Sequence, residues 1–233
     1  MEQIRNLSAY NDGMAKSLDD KLFFVPIIGE EIRQFEDFGC ADGTLLEAMD
    51  KLFNNPFTAE FPLNKIELVG YDMSSKMLEL AEDKVPNARL IKNTLPLGTT
   101  LKKNSCLNLS SVLHEVNSYC TEEEKEDFWD VVSCGDYDYI TVRDMVYNGD
   151  ENSQSDPNDV GRVYETVRKH GTDLTLFKDF EDIWGNLYLK KNLIHYLLKY
   201  RYKQNWDREV RENYLGYSTD DIIKLVGNKY EVI

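Results

Sequence analysis

A glycine-bearing turn between a predicted strand and a predicted helix constrains the fold of this chain more than any other sequence feature. Residues 33–38 (RQFEDF) predict a short strand that breaks at the turn 39–43 (GCADG), and helical periodicity begins at Thr44. Because glycine has no Cβ, backbone N–H groups of such a turn can approach a ligand closely, as can the N-terminus of the following helix. The turn therefore predicts a site for a nucleotide or a charged tail.

A second strand and an acidic residue follow the turn. Residues 65–71 (KIELVGY) predict this strand, which ends on Asp72, and Ser74 can cap a helix that runs to Pro86. An acidic side chain at the end of this strand lies beside the same crevice, where it can accept hydrogen bonds from both hydroxyls of a ribose. Asp72 is the candidate for that role.

The remaining predicted strands alternate with helices. Strands are expected at 88–92, 105–112 and 138–143, and Thr121 with Glu124 forms a capping box that begins a helix. The apolar and small residues of the fourth strand suit a sheet that is covered on both faces. This order predicts an α/β fold, a doubly wound Rossmann-like and mostly parallel sheet, with a helical insertion after the fifth strand.

The domain organisation follows from the same pattern. We expect a core of residues 1–144 and 218–233 and a helical insertion or lid at 145–217. Residues 148–159 (NGDENSQSDPND) are polar and acidic, which predicts a loop or a disordered tether. An amphipathic helix is predicted at 12–24, ahead of the first strand.

The end of the chain departs from the expected pattern. Ser218 caps a short helix that ends at Gly227, and residues 230–233 (YEVI) resemble the beginning of a strand. A fold of this class commonly ends in an antiparallel hairpin, so one strand is missing. A shortened chain would explain this, and so would a protein partner that completes the C-terminal sheet edge, because an exposed edge invites pairing.

Composition excludes several classes of function. The chain of 233 residues has 27 Lys and Arg against 42 Asp and Glu, a net charge of −15, which repels phosphate backbones and anionic lipid. It has no apolar run of the roughly 18 residues that a membrane span needs and no signal-peptide pattern, which predicts a cytoplasmic protein. Its 4 cysteines form no C-x-x-C pair, so neither a structural zinc site nor a disulfide framework is expected.

Three segments resemble one enzyme family. EDFGCADGTLLEAM resembles the first motif of class I S-adenosylmethionine-dependent methyltransferases, an acidic residue followed by G-x-G-x-G, with matches at Asp37, Gly39, Ala41 and Gly43. LVGYDMSSKMLELA resembles the second-strand segment with its ribose-binding acid, and LNLSSVLHEV resembles the fourth-strand motif that faces the methyl donor and the substrate. The resemblance covers residues 10–145.

This resemblance implies S-adenosyl-L-methionine as the cofactor. It departs from the family at Ala41, where a middle glycine is common, and at Asn93, where an acidic residue often marks the adenine side. Ala is small enough to preserve the turn, and Asn can still hydrogen-bond an adenine amine. The cofactor-binding residues that it implies are Asp37, Gly39, Cys40, Ala41, Gly43, Asp72, Met73, Asn93, Ser110 and Ser111.

Two other interpretations of the glycine turn remain open. The turn could be an ordinary strand-to-helix connection. It could also belong to a nicotinamide-binding Rossmann site, but that site requires G-x-G-x-x-G and an acid about 20 residues later. Here Asp72 follows Gly39 by 33 residues, a spacing that disfavours the nicotinamide site without excluding it.

Polar residues after the fourth and fifth strands are candidates for chemistry. Methyl transfer from a sulfonium is an in-line displacement, so a base is needed only when the acceptor must lose a proton. His114 is the candidate catalytic base, although it could instead begin a helix and pack there. Arg143 and Asp144 could orient a substrate or pair with each other.

A basic and aromatic stretch lies in the predicted insertion. Residues 183–206 contain no acidic residue, and Lys191, His195, Lys199 and Lys203 recur every four positions, opposite a stripe of Leu189, Leu193, Leu197 and Tyr200. This pattern predicts a helix with one buried stripe and one basic stripe. The basic stripe is either simply solvated or paired with the acidic core, or it is a substrate face. The predicted substrate residues are Arg143, Lys191, Lys199 and Tyr202, with RNA or a nucleotide as a candidate acceptor.

The sequence therefore predicts a methyltransferase that acts on an unidentified acceptor and requires no metal. The alternative is a catalytically silent subunit of the same fold that binds the donor or docks a partner. Release of S-adenosylhomocysteine distinguishes the two, because a silent subunit would bind donor without forming product.

Overall fold

The computed structural model describes residues 17–55, 57, 65–93, 95, 104–169 and 173–233. Part of the predicted helix at 12–24 lies outside these residues. In the described part, two short helices, α1 (Leu18–Lys21) and α2 (Val25–Ile28), replace one continuous helix. Pro26 stands in the first turn of α2, where its missing N–H is tolerated but where it favours the start of a new helix.

A five-stranded sheet with every pair of strands parallel forms the centre of the molecule. Its order is β3-β2-β1-β4-β5, which reverses direction between β1 and β4, the place where ligands bind in doubly wound folds. The predicted α/β class and the Rossmann-like sheet are confirmed. The strands are β1 (Gln34–Phe38), β2 (Glu67–Asp72), β3 (Arg89–Lys92), β4 (Ser105–Ser110) and β5 (Tyr139–Arg143).

Helices cover both faces of the sheet, as the buried residues of the central strands require. One apolar cluster joins Phe35 to Leu46 and Met49, and the other joins Phe38 to Phe128. The helices that follow the strands of the core are α3 (Thr44–Phe53), α4 (Ser75–Lys84), α5 (Leu113–Tyr119), α6 (Glu122–Cys134) and, near the end of the chain, α11 (Thr219–Val226).

Local capping signals fix several helix boundaries. The predicted capping box at Thr121 and Glu124 begins α6, and the Ser74 hydroxyl accepts the Met77 N–H at the start of α4. The prediction of a strand over 105–112 is too long, because β4 stops at Ser110. The next residue has a left-handed φ of 58°, which turns the chain into α5.

The segment after β5 is helical, so the predicted helical insertion is confirmed as an element of the fold. Its helices are α7 (Pro157–Lys169), α8 (Asp173–Trp184), α9 (Lys190–Lys199) and α10 (Trp206–Glu209). They bury an apolar cluster of their own, which includes Phe177, Phe180 and Trp206. The division of the chain into a core of 1–144 and 218–233 and a lid of 145–217 stays a prediction.

The prediction of a loop or a disordered tether at 148–159 holds in its first alternative: residues 148–156 form a loop in which the Ser155 hydroxyl donates to the carbonyl of Leu187 at 2.6 Å, and α7 begins at Pro157. The prediction of a strand at the end of the chain is wrong. Residues 230–233 form no strand, and the Tyr230 hydroxyl donates to the carbonyl of Tyr137 at 3.1 Å. A protein partner that completes the C-terminal sheet edge stays a prediction.

Candidate functional site

The glycine turn has an unusual backbone that only a few residue types accept. Gly39, Ala41 and Gly43 have φ values of 78°, 47° and 76°, in the left-handed region. The N–H groups of Gly39 and Cys40 both donate to the carbonyl of Tyr71 at 2.9 Å, so the turn is fixed to the end of β2. Ala41 shows that the turn forms with a residue that has a Cβ at its middle position.

Asp72 lies against this turn, at the carboxyl end of β2. Its Oδ2 accepts the Ala41 N–H at 3.0 Å, and its Oδ1 accepts the Ser74 N–H at 2.7 Å. Burial raises the pKa of the carboxyl, and the two hydrogen bonds oppose that rise. The structure therefore brings together the predicted turn and the predicted acid.

Asp37 is buried at the end of β1, next to the turn. Its Oδ1 accepts a hydrogen bond of 2.8 Å from the side chain of Asn108 on β4, whose Oδ1 in turn accepts from the Thr141 hydroxyl on β5 at 2.9 Å. Burial raises the pKa of Asp37 to about 6. The sequence analysis missed Asn108 and Thr141, although a polar residue inside an otherwise apolar strand was a detectable signal.

A cavity opens at the switch point of the sheet, between the ends of β1 and β4. Among its lining residues is Ser110, whose buried hydroxyl has no hydrogen-bond partner within the described part of the chain. An orphaned hydroxyl at a cavity that also contains a carboxylate fits a polar ligand. The residues that line the cavity are Leu18, Lys21, Asp37, Gly39, Cys40, Asp42, Thr44, Leu45 and Ser110.

Lys21 is a residue of this cavity that the sequence analysis did not identify. It ends α1, and only 4% of it is exposed. Burial lowers the pKa of its ammonium, while the charges of Asp37, Asp42 and Asp144 raise it. Only the tertiary packing of α1 brings this lysine to the turn, so no local pattern could have indicated it.

The other predicted cofactor residues stand on the same edge of the sheet. Met73 follows β2 and is exposed, and Asn93 follows β3 and is half-buried. Ser111 follows β4, and its hydroxyl accepts a hydrogen bond of 3.2 Å from Arg143. Arg143 also lies 3.6 Å from a carboxylate oxygen of Asp20, so Arg143 does not depend on Asp144 for an ionic partner.

His114 lies in the first turn of α5 and is paired with Asp144. Its Nδ1 is 2.8 Å from Asp144 Oδ1, and Asp144 Oδ2 accepts the N–H groups of Leu113 and His114 at the start of the helix. Burial opposes the charged imidazole, but the hydrogen bond and charge of Asp144 outweigh it and raise the pKa of His114. Both interpretations of His114 therefore fit: it begins a helix, and it is one half of an acid–base pair.

A buried ionic cluster attaches the insertion to α5. Arg208 of α10 forms an ion pair with Glu115 and lies 2.8 Å from a carboxylate oxygen of Glu212. The other carboxylate oxygen of Glu212 is 3.9 Å from His114 Nε2. The insertion thus contacts the helix that contains His114, a connection that the sequence did not predict.

The prediction that the basic stripe of α9 lies opposite the buried face of the helix is wrong. Lys199 is 0% exposed, and its ammonium donates to the backbone carbonyls of Glu209 and Glu212. His195 is buried as well, whereas Leu197, which we expected in the buried stripe, is 48% exposed. The reason is that Lys199 reaches backbone carbonyls at the end of α10 and just beyond it, which accept hydrogen bonds from the ammonium in place of water.

The remaining predicted substrate residues lie on the surface of the insertion. Lys191 forms an ion pair of 2.7 Å with Glu151, and Tyr202 is exposed. Lys203 lies outside α9, in a separate 3-10 turn. The continuous basic face that would recognise RNA is therefore not formed by these residues.

Comparisons with known proteins concern the fold. No protein-family profile matches the chain, and no curated protein matches it. Among solved structures, the methyltransferase domain of bacterial CtHen1-C is 16% identical, with a TM-score of 0.42, over 57% of this chain and 71% of that one. An S-adenosylmethionine-dependent methyltransferase from Clostridium acetobutylicum is 15% identical, with a TM-score of 0.38, over 59% of this chain and 55% of that one.

A third solved structure contains S-adenosylmethionine. It is CalS10, an amino pentose methyltransferase from Micromonospora echinaspora, 17% identical with a TM-score of 0.40 over 58% of this chain and 54% of that one. These similarities are distant. The class of the fold is set by the sheet itself, whose parallel order β3-β2-β1-β4-β5 is that of a Rossmann-like α/β protein.

Proposed function

We propose that this chain is an S-adenosylmethionine-dependent methyltransferase. The observation that carries the proposal is the hydrogen bond of 3.0 Å from the Ala41 N–H of the glycine turn to Asp72 at the end of β2. It supports Asp72 as the carboxylate that binds the ribose, beside a turn that can receive a charged tail, at the switch point of the sheet. An ordinary strand-to-helix connection would not require that pairing.

The residues present fit the proposed donor. The buried Ser110 hydroxyl, which has no partner among the described residues, and the buried Asp37 carboxylate line one cavity, and each can bond a polar group of the donor. A Cβ added at Gly39 would lie only 3.0 Å from the side chain of Val112. Glycine therefore suits this position, and its lack of a side chain lets a ligand come close to the backbone of the turn. When bound, the donor supplies an electrophilic methyl group on its sulfonium.

Each part of the site has a proposed role in holding the donor. The turn of residues 39–43 lets the amino-acid tail approach its backbone closely, Asp37 attracts the ammonium of the tail, and Asp72 holds the ribose hydroxyls. Met73 and Asn93 border the adenine side, with Ser110 and Ser111 at the end of β4. Cys40 contributes its backbone, because burial raises the pKa of its thiol and keeps it protonated.

His114 is the proposed base for acceptors that lose a proton. Its Nδ1 is held by Asp144 at 2.8 Å, which orients the ring and leaves Nε2 to receive the proton. Because Asp144 raises the pKa of His114, the imidazole becomes a base only above that raised value. We expect the rate with such an acceptor to rise with pH through that range.

The acceptor is proposed to approach from the insertion. Arg143 and Tyr202 stay candidate substrate residues, as does Lys191 once its pair with Glu151 opens, whereas burial excludes Lys199 from direct contact. A nucleotide or RNA acceptor stays a hypothesis, as does a cytoplasmic location. No helix in the described part of the chain is long and apolar enough to cross a membrane.

Release of S-adenosylhomocysteine from a panel of amine, hydroxyl and nucleotide acceptors tests the proposal. We expect product with at least one acceptor class, and His114→Gln should slow it only for acceptors that lose a proton. His170→Gln is the control, because the proposal assigns no role to that histidine. Donor binding without product from any acceptor would support a silent subunit instead.

A further inference from the structure

The imidazole of His114 lies between two buried carboxylates that come from different parts of the fold. Asp144 Oδ1 is 2.8 Å from Nδ1, and Glu212 Oε2 is 3.9 Å from Nε2. Asp144 follows β5, whereas Glu212 follows α10 and belongs to the predicted insertion. Each carboxylate side chain is only 1% exposed, so both act on the ring with little screening by water.

The two carboxylates are placed for different tasks. Asp144 is at hydrogen-bond distance and also accepts the N–H groups of Leu113 and His114, so it fixes the orientation of the ring. The distance from Glu212 to Nε2 is too long for a hydrogen bond, which leaves this nitrogen able to accept a proton. Two opposite charges this close still attract each other strongly in a buried site. Glu212 can therefore act on the charge of the ring.

The Glu212 carboxylate is held in place by other groups. Its Oε1 atom accepts a hydrogen bond of 3.0 Å from the Tyr119 hydroxyl and lies 2.8 Å from Arg208 Nε, while Oε2 faces the histidine. Burial raises the pKa of Glu212, and the positive charges of Arg208 and of a protonated His114 oppose that rise. A proton on His114 and a negative charge on Glu212 therefore favour each other.

We propose that Glu212 is a positioning residue for proton transfer, whose carboxylate stabilises the imidazolium that forms when His114 Nε2 takes a proton from the acceptor. This inference rests on the proposed function and on its assignment of His114 as the base. The acceptor keeps the electron pair of the broken bond and uses it to bond the transferred methyl group, and the ring gains one positive charge. The insertion supplies the opposite charge at 3.9 Å.

Other titratable groups surround this pair. Asp144 and Glu115 also raise the pKa of His114. The ring centre of Tyr214 is 4.9 Å from that of His114, and burial raises the pKa of the Tyr214 hydroxyl, so it stays neutral. The groups that face Glu212 are Tyr119, Lys199, Arg208 and Glu209. A variant that changes only Glu212 keeps all of these side chains and isolates its charge.

The first measurement is an NMR titration of the His114 ring, without any ligand. Glu212→Gln removes the charge and keeps the size of the side chain. We expect it to lower the pKa of His114 by about one unit or more, because an opposite charge within about 6 Å favours the protonated ring. Tyr119→Phe is the matched control: it removes a neutral hydrogen bond to the same carboxylate and should shift this pKa by less than about half a unit.

The second measurement is the pH dependence of methyl transfer to acceptors that lose a proton. In Glu212→Gln, the rising part of the profile should move to lower pH, and the rate above it should fall roughly three- to tenfold, since a weaker base takes the proton more slowly. Acceptors that lose no proton should react within about threefold of the rate of the unchanged chain. A merely structural role of Glu212 would slow both classes of acceptor alike and leave the pKa of His114 unchanged.

Glu212→Asp keeps the charge but draws it back by one C–C bond, so it should lower the pKa of His114 less than Glu212→Gln does. It also tests the inference if Glu212→Gln does not fold. An unchanged or raised pKa of His114 in a folded variant of Glu212, or an equal fall in Tyr119→Phe, would overturn the inference. Absence of product with every acceptor would contradict the proposed function, and the inference with it, even where the titration shows that Glu212 sets the charge of His114.

Discussion

At the scale of single residues, Gly43 has the strictest requirement of the site. It ends the turn with a φ of 76°, and an added Cβ would lie 2.8 Å from Ala81 Cβ and 2.9 Å from Ala81 Cα on α4. Gly43→Ala should therefore destabilise the protein by roughly 2–5 kcal/mol, through backbone strain and overpacking together. Urea unfolding measures this free energy.

Gly161 is the matched control for that substitution. It lies within α7, and a methyl group added there would meet no described atom within 4 Å, so Gly161→Ala should stabilise the protein by about 0.5–1 kcal/mol. Equal effects of the two substitutions would contradict the close packing of α3 on α4.

The charge state of Asp37 predicts a pH dependence of stability. Burial raises its pKa from 3.8 to about 6, so the folded protein holds this proton more tightly than the unfolded chain does. The stability from this group is complete below about pH 4 and is lost as the pH rises through about 6. The free energy of unfolding of the unchanged chain, minus that of Asp37→Asn, should fall by on the order of 2–3 kcal/mol across that range.

Urea unfolding between pH 4 and 7 measures the free energy of unfolding of both proteins. The difference between the two values at each pH isolates the titration of Asp37, because the other titrating groups are common to both proteins. Parallel stability curves would show that Asp37 titrates in its ordinary range.

At the scale of elements, the contact between β5 and α5 sets the charge of His114. Burial has the largest effect and lowers the pKa of the imidazole, but the hydrogen bond and charge of Asp144, together with the charges of Glu115 and Glu212, raise it overall. Asp144→Asn should therefore lower the pKa of His114. An NMR titration of the histidine rings measures it, and His114→Gln identifies the resonance.

An unchanged titration of His114 in Asp144→Asn would contradict the pairing. Asp150→Asn, on the loop after β5, is the control and should leave the resonance where it is.

Two lysines of α9 should differ sharply in their importance. Lys199→Met removes the buried ammonium that donates to the carbonyls of Glu209 and Glu212, at a cost of roughly 1–3 kcal/mol. Lys191→Met removes a surface pair with Glu151 and a cation placed 5.7 Å from the centre of the Tyr147 ring, which should cost less than about 1 kcal/mol. Thermal unfolding of both variants checks this, and a larger loss from Lys191→Met would contradict the burial of Lys199.

The same helix shows where sequence reasoning ends. Short-range signals fixed the glycine turn, the capping box at Thr121 and the serine cap of α11, because their hydrogen bonds lie within a few residues. Helical periodicity placed Lys199 correctly on one face of α9, but which face is buried depends on carbonyls beyond α10. Lys21 depends in the same way on the packing of α1 against the sheet.

At the scale of the whole molecule, the net charge of −15 gives the surface a negative field, and some of the basic side chains are paired with acids. Arg208 pairs with Glu115, Lys84 with Asp42 and Lys191 with Glu151. The surface field therefore favours acceptors that are neutral or cationic over polyanions. The ionic cluster at Arg208 also joins the insertion to the helix of His114.

Calorimetric titration with S-adenosylmethionine tests the central claim most directly. We expect saturable binding that Asp72→Ala weakens roughly ten- to hundredfold, while Asp83→Ala, an exposed acid on α4, binds as the unchanged chain does. NADH should not bind. A folded protein that binds no S-adenosylmethionine, or one that binds NADH with dependence on Asp72, would contradict the account.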